Sequence, residues 1–500
     1  MGRQIVQGFA KNTGVLFLQQ IITWASTFFL MLFLPRYLGP KEYGTVFLGT
    51  SISAIFGIIV SYGGSYYVAK AVSRDPNRTA QIMVDASAFR VALWFIASLG
   101  SIIFCMIADY SWHDQTVIYI FVGALLFQGP SLVIYSCFQG REKMQFTSRA
   151  IISEKVFVSL VGVLVLIAGA GAVTFAVVRV VGSFINFLLV AIYSREIIES
   201  LPVVNWRSAW NELKEGIPYF MFMAFSSIYY RVNSVILSKT VSGEVLGWFG
   251  AAMRFFETMN FFPFIITTAI YPVFSRLWKD EASVYRKASL MTFEFILIVG
   301  LPVSVFTILF ARDIVSLLYG IKQYAASIPV LQILAGGAIF LFVNMILGTM
   351  LISSDRQRQQ SYLTLGAIFV SIGLNLLFIP LMQRMFGNGG IGAALSTALI
   401  ELMLMIAMLL LLPRGSFAGF QWMKLIRIIL ATAISGFFAF GLMEIGIYWI
   451  LSAIVGLIAY VPLIRFFKGI DDNGWKLVIE MIRSFPLAHY IPGIEKQADV

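Results

Sequence analysis

The sequence predicts an all-α integral membrane fold of about fourteen spanning helices: two six-helix lobes related by a pseudo-two-fold axis along the membrane normal, plus two extra C-terminal helices. Three observations carry that reading. Apolar residues make up 59% and charged residues 12% of the chain, against roughly 25% charge in ordinary soluble domains. The mean hydropathy is +0.86, and apolar stretches recur from Val15 to Ile464 with no polar block large enough to be a soluble domain. Motifs of the first six spans also return in the next six.

A hydrocarbon core of about 30 Å needs roughly 20 apolar residues per helix. Polar and Pro/Gly breaks place the spans near 13–34, 43–69, 84–108, 115–139, 150–170, 172–194, 216–238, 245–274, 288–310, 325–352, 360–382, 389–412, 422–443 and 445–467. The basic N-terminus runs straight into the first span without a small-residue cleavage site, so it reads as a helix rather than a removed signal. Loop charge then sets the orientation. The even-numbered connections and both ends of the chain, with the span ends that flank them, hold most of the 36 Lys and Arg, including Lys70, Arg74 and Arg78 in one connection and Arg141, Lys143, Arg149 and Lys155 in the next. The odd-numbered connections hold only Arg36, Lys41, Lys239, Arg312, Lys322 and Arg384. Excess positive charge marks the cytoplasmic side, so both termini are expected there. A miscounted helix would mix the two loop sets downstream, so the alternation supports the number of spans too. The tail 469–500 sets Trp475, Leu477, Val478, Met481 and Ile482 among charges and reads as a cytoplasmic amphipathic helix. The net charge of +11 sits in short loops, which points to anionic lipid head groups rather than nucleic acid.

The stretch Leu38-Gly39-Pro40-Lys41-Glu42-Tyr43-Gly44 is echoed, roughly two hundred positions later, by Val241-Ser242-Gly243-Glu244-Val245-Leu246-Gly247. The helix after each copy ends in a Ser-Arg pair, Ser73-Arg74 and Ser275-Arg276; Arg141 pairs with Arg356, and Gly171-Ala172 with Gly392-Ala393. The division is therefore 1–200 for the first lobe, 201–415 for the second, 416–468 for the last two spans and 469–500 for the tail. Parallel repeats of this kind are a transporter architecture, with the site between lobes near the midplane.

A charged side chain at the centre of a spanning helix costs about 2.5 to 3.5 kcal/mol on insertion scales, so it needs a partner, water or an anionic ligand. Arg90, Arg179, Arg231 and Arg254 lie within spans. Arg90, near a span end, can instead snorkel, while Arg231 and Arg254 are deeper and fall in successive helices. Glu257, three residues beyond Arg254, either neutralises it or shares in coupling. Glu294 and Glu401 are candidate proton or cation sites, or else partners for an Arg of another helix. Asn12, Gln19, Gln20, Asn233, Asn344 and Asn375 read first as polar glue between helices. Pro130, Pro263 and Pro302 should kink or break their spans.

No phosphate loop, metal spacing or paired thiol chemistry accompanies these residues: Cys105 and Cys137 sit inside apolar runs, and His113 and His489 stand alone. No cofactor or metal is expected. Asn77-Arg78-Thr79 matches a glycosylation acceptor but falls on the cytoplasmic side. External connections of at most about fifteen residues argue against a membrane polymerase or ligase with an external catalytic domain, so the chain is not expected to be an enzyme.

Lys11-Asn12-Thr13, the Arg36–Gly44 turn and Gly63-Gly64 before Ala71-Val72-Ser73-Arg74 resemble the first helices of the polysaccharide-transporter branch of the multidrug/oligosaccharidyl-lipid/polysaccharide exporter superfamily. Pro218, Gly247-Trp248-Phe249-Gly250-Ala251-Ala252-Met253-Arg254, Tyr271–Arg276, Asn375–Pro380 and Gly390–Ala394 are similar to it too, so the resemblance covers about residues 8–415. It implies a flippase that moves a polyprenyl-(pyro)phosphate-linked oligosaccharide from the cytoplasmic to the outer leaflet of the plasma (inner) membrane. Membrane lipids and glycan polymerase or transferase machinery are the implied partners, and proton, sodium or membrane potential the implied drive. In that superfamily helices 1, 2, 7 and 8 line the central cleft, which puts Arg231 and Arg254 on the path of an anionic head group. Asn233 stands where members often carry Asp, so coupling through that carboxylate is in doubt. A lipid II flippase and a multidrug or organic-cation exporter are the same-fold alternatives; the exporter would favour cavity carboxylates over Arg.

Overall fold

A computed structural model describes the backbone of residues 2–470 apart from 63, 199, 414 and 418, and their side chains except 2–17, 66, 208, 209, 211–219, 221–223, 226, 280 and 282. Among the described residues there is helix and connection but no strand. Hydrocarbon permits little else, because every backbone N–H and C=O must be satisfied within its own segment. The helices run α1 Gly2–Ser61, α2 Ser65–Arg74, α3 Thr79–Ile107, α4 Trp112–Gly140, α5 Met144–Ile167, α6 Ala172–Ser194, α7 Trp206–Thr240, α8 Gly243–Met259 and α9 Phe261–Asp280. They continue as α10 Ala282–Leu309, α11 Ala311–Leu318, α12 Ile321–Tyr324, α13 Ser327–Ser353, α14 Gln357–Phe386, α15 Gly389–Leu411, α16 Trp422–Glu444 and α17 Trp449–Phe466.

Twelve stretches of these helices are long and apolar enough to cross a membrane. The first, Leu18–Ser61, contains two spans that meet at Gly39, whose φ of 72° and ψ of 169° interrupt the helix. Glycine tolerates that left-handed φ, and Pro40 beside it has no N–H to continue the ladder. The helix α7, Trp206–Thr240, stands where the seventh span was expected. Two of the spans are shorter than the sequence suggested. Span 2 stops at Ser61, where Tyr62 takes a positive φ of 31° before Gly64, and its remainder becomes α2. Span 8 is broken at Asn260, because Pro263 in the first turn of α9 cannot donate to the Met259 carbonyl. Pro130 and Pro302 sit inside continuous helices instead. The ninth connection carries α11 and α12, and from residue 471 the expected amphipathic tail lies outside the described residues.

Packing divides the chain into two compact units. The first comprises Met1–Phe255, Val315–Val330 and Ser361–Ile400; the second comprises Phe256–Ile314, Leu331–Gln360 and the chain from Glu401 onward. These units are defined by contact, whereas the lobes 1–200 and 201–415 are defined by repeat. Two cores hold the first unit together. Val68, Val72, Ala86, Val133 and Phe138 are buried near one end, and Val46, Val117, Phe121 and Phe175 near the other. Even-numbered connections meet at the first end, where Arg141 Nη1 donates to the Pro76 carbonyl at 3.4 Å and Lys143 Nζ to the Glu196 carbonyl at 2.8 Å. Odd-numbered connections meet at the other, where Tyr324 Oη donates to the Pro35 carbonyl at 2.8 Å and His113 pairs with Glu42 at 3.1 Å. Within the first unit, the second, fourth and sixth connections are thus set apart from the first, third and ninth.

In the second unit, Phe306, Phe310 and Ala439 form a buried core with Trp449 packed against it. Pro302 deprives the Ile298 carbonyl of its helical donor, and Tyr460 Oη of α17 fills the vacancy at 2.8 Å. Tyr460→Phe should therefore lower stability in detergent by about 1 kcal/mol. In a Pro302→Ala background, where the helix supplies its own donor, the same substitution should cost clearly less; equal losses in thermal unfolding of both backgrounds would refute this pairing.

Candidate functional site

Along the second span of α1, Thr50, Ser53, Ala54, Gly57 and Ser61 recur every three or four residues, so one helix face carries small and hydroxylated side chains. Small side chains leave space. Between this face, α4 and α6 lies a cavity of about 270 Å³, lined also by Phe121, Leu125, Gln128, Gly129 and Arg179. Its hydroxyl donors are already committed. Ser53 Oγ donates to the Phe121 carbonyl at 3.1 Å, Thr50 Oγ1 to Phe47 at 2.9 Å and Ser61 Oγ to Ile58 at 3.2 Å. Gln128 Nε2 donates to Ser183 Oγ at 3.0 Å. Among the described lining residues, the guanidinium of half-buried Arg179 is therefore the formal charge and the main source of donors.

Arg179 does not act alone. Glu154, Lys155 and Arg254 lie close enough for their charges to be felt there, and Lys155 and Arg254 also feel one another. A Cβ on Gly182, one turn from Arg179, would stand 3.6 Å from Glu154 Cγ, which seats that carboxylate against α6. Lys155 and Arg179 thus share the field of the Glu154 carboxylate. The sequence reading had assigned Lys155 to a cytoplasmic flank, but α5 begins at Met144 and carries Lys155 three turns into the helix.

The other arginines differ. Arg90 is fully buried, with its guanidinium carbon 5.1 Å from the centre of the Tyr62 ring and Nη2 at 3.2 Å from Ser65 Oγ. It pins the bend between α1 and α2, and Gly129 gives it room: a Cβ there would stand 3.4 Å from Arg90 Cβ. Asp85, which the sequence reading passed over, is equally buried and accepts from Gln81 Nε2 at 2.8 Å and the Asn205 amide at 2.7 Å, anchoring the approach to α7. Arg231 on α7 and Arg254 on α8 are half-buried, and Glu257 follows one turn along α8.

Asn233 is buried within a neutral network. Its Nδ2 donates to Thr397 Oγ1 at 2.8 Å, and its Oδ1 accepts from Ser371 Oγ at 2.9 Å and Asn375 Nδ2 at 2.7 Å. No carboxylate takes part in those bonds, so at this point the first unit holds polar glue joining α7, α14 and α15. In the second unit, Glu401 is 3% exposed and Asn344 Nδ2 reaches both its Oε2 and its backbone carbonyl at 2.8 Å. Glu294 pairs with Lys424 of α16 at 3.0 Å, tying span 13 to span 9. The candidate carboxylates thus occupy separate environments.

Comparison with known proteins adds a common frame. The family model described as polysaccharide biosynthesis protein matches residues 9–278, and the MatE model matches 218–377. The chain is 24% identical over 409 residues to a putative O-antigen transporter of Shigella dysenteriae, covering 80% of this chain and 98% of that one. It is 21% identical over 405 residues to the capsular polysaccharide biosynthesis protein CapF of Staphylococcus aureus, covering 79% and 97%. Among solved structures, the lipid II flippase MurJ in an inward closed conformation superposes with a TM-score of 0.72 at 14% identity, over 92% of this chain and 98% of that one. An inward-facing multidrug resistance MATE family transporter gives 0.61 at 15% identity, over 78% and 94%. The all-helical fold is theirs.

The field of Arg179 is directly measurable. With Ser53→Cys as a reporter, an anionic methanethiosulfonate reagent should react about tenfold faster than a cationic one of similar size, because a positive cavity concentrates anions. Arg179→Gln should erase most of that preference; no preference in the parent would refute the assigned polarity. Native Cys105 and Cys137 are buried and leave the reporter's signal clear.

Proposed function

This chain belongs to the polysaccharide biosynthesis protein family, and from that premise we propose that it carries a polyprenyl-(pyro)phosphate-linked oligosaccharide from the cytoplasmic to the outer leaflet by alternating access. The observation that supports this reading is a cavity between α1, α4 and α6 with the Arg179 guanidinium in its wall. A sugar phosphate crossing hydrocarbon unaided would cost tens of kcal/mol on Born estimates, whereas a wet, cationic enclosure removes most of that barrier. Guanidinium groups suit the task because their planar fork binds phosphate oxygens bidentately. The prenyl tail stays in lipid.

Arg179 and Arg254 hold the phosphates in this scheme, Arg231 extends the cationic path, and Arg90 supports its wall rather than touching substrate. The same chemistry would serve a lipid II flippase, so the glycan itself selects between them. An organic-cation exporter is disfavoured, since a positive cavity repels its cargo. The relatives named for O-antigen and capsular polysaccharide support a glycan cargo. Catalysis is not part of the proposal; glycan polymerase or transferase machinery would act on the delivered lipid. Glu401, buried beside Asn344, is the carboxylate we assign to coupling, since Glu294 is engaged by Lys424 and Asn233 carries no charge. The loop charges support a plasma-membrane orientation with both termini in the cytoplasm.

Deletion of the chain should make one prenyl-linked glycan accumulate on the inner leaflet, read by lipid extraction and leaflet-selective labelling. Arg179→Ala, Arg231→Ala and Arg254→Ala should each cut export at least about tenfold, the loss of one charge-assisted contact, while protein stays in the membrane at parental levels. Parental export in all three would overturn the cationic-cavity mechanism.

A further inference from the structure

The cavity beside Arg179 is small for a glycan. Pockets that enclose a drug-sized ligand hold about 300 to 1,000 Å³, whereas this one, lined wholly by residues of the first unit, holds about 270 Å³. It is also drawn out. The lining face from Thr50 to Ser61 runs along roughly 16 Å of α1, so the volume forms a slot rather than one chamber. An oligosaccharide of several rings exceeds a drug-sized ligand, and its outer rings lie beyond these walls.

What the walls offer is one-sided. The hydroxyl protons of Ser53, Thr50 and Ser61 go to the carbonyls of Phe121, Phe47 and Ile58, and the Gln128 amide donates to Ser183. The remaining side chains, Arg179 apart, are apolar or absent. Each sugar hydroxyl both donates and accepts, and a site built to read one sets a matching group against it, so that an analogue lacking the hydroxyl leaves that group unpaired. Here the donors are spent. Among the described lining residues Arg179 alone brings a cation, with N–H donors in a planar fork that matches phosphate oxygens. The slot fits the linkage and is indifferent to what the linkage carries.

A lipid held by its linkage has a close relative. When a transferase on the outer leaflet consumes the glycan, the anomeric C–O bond to the linkage phosphate breaks, the acceptor oxygen forms the new bond and gives up its proton, and prenyl pyrophosphate leaves. That product keeps the tail and the anionic group of the loaded lipid. We propose that the Arg179 slot also binds glycan-free prenyl (pyro)phosphate, so that the protein carries spent lipid inward and exchanges loaded for unloaded carrier. This rests on the flippase reading for the loaded lipid, not for the bare one. Rejecting the bare lipid would need a contact that penalises the missing sugar, and the slot contains none.

The full chain in liposomes, given fluorescent prenyl pyrophosphate or fluorescent prenyl-pyrophosphate disaccharide, tests the exchange, with leaflet access read by a membrane-impermeant quencher. The bare lipid should cross within about threefold of the rate of the disaccharide lipid, and Arg179→Gln should slow both by about tenfold. Unlabelled bare lipid confined to the opposite leaflet should speed the disaccharide lipid severalfold; crossing without that acceleration would overturn the exchange. Crossing of the disaccharide lipid alone would overturn the inference and leave the flippase reading intact. Crossing of the bare lipid alone would leave its transport standing and overturn the flippase reading, and crossing of neither would overturn both.

Discussion

Charge inside hydrocarbon is the constraint from which the rest of this structure follows. Each intramembrane cation must find a carboxylate, an aromatic face, water or an anionic ligand, and the chain uses these solutions in different places. Arg90 takes the first available protein partners, Ser65 and the Tyr62 ring, and so becomes a pin in the helix packing. Lys424 takes Glu294 and ties an appended helix to span 9. Arg179 is placed instead on the wall of a cavity, where its field adds to those of Lys155 and Arg254. That arrangement sets a guanidinium on a cavity wall rather than in a helix contact.

The all-helical membrane fold and the order of its helices were legible in the sequence, because span length is a strong signal. The breaks were less so. Gly63-Gly64 and Pro263 were visible as punctuation, yet whether a proline kinks, breaks or is absorbed depends on a distant donor such as Tyr460. The site was legible by residue type but not by neighbour. Arg179 and Arg254 were singled out from sequence, whereas Lys155 was hidden by a start of α5 six residues earlier than hydropathy suggested. The hydroxyl stripe from Thr50 to Ser61 obeys helical spacing and could have been found that way.

Internal symmetry gives the chain a second economy. The loops between spans 1 and 2 and between spans 7 and 8 were paired by resemblance alone, and their glycines prove to pack on each other's backbone. A repeat that serves only stability has no need to place its two copies in mutual contact. Here a Cβ at either Gly44 or Gly247 would meet the backbone of the other copy, which explains why both positions are Gly. Asn233 marks the opposite tendency, a point where the second half closes on neutral hydrogen bonds through Ser371, Asn375 and Thr397.

On the proposed flippase mechanism, the membrane interior of this protein recognises the anionic linkage of its cargo rather than the sugar. Purified protein in liposomes, given a fluorescent prenyl-pyrophosphate disaccharide and an uncharged ether-linked analogue of equal length, tests it most directly. Protein-dependent flipping of the pyrophosphate lipid alone, weakened as inorganic pyrophosphate is added as competitor, is the predicted result. Equal flipping of both lipids would contradict the account.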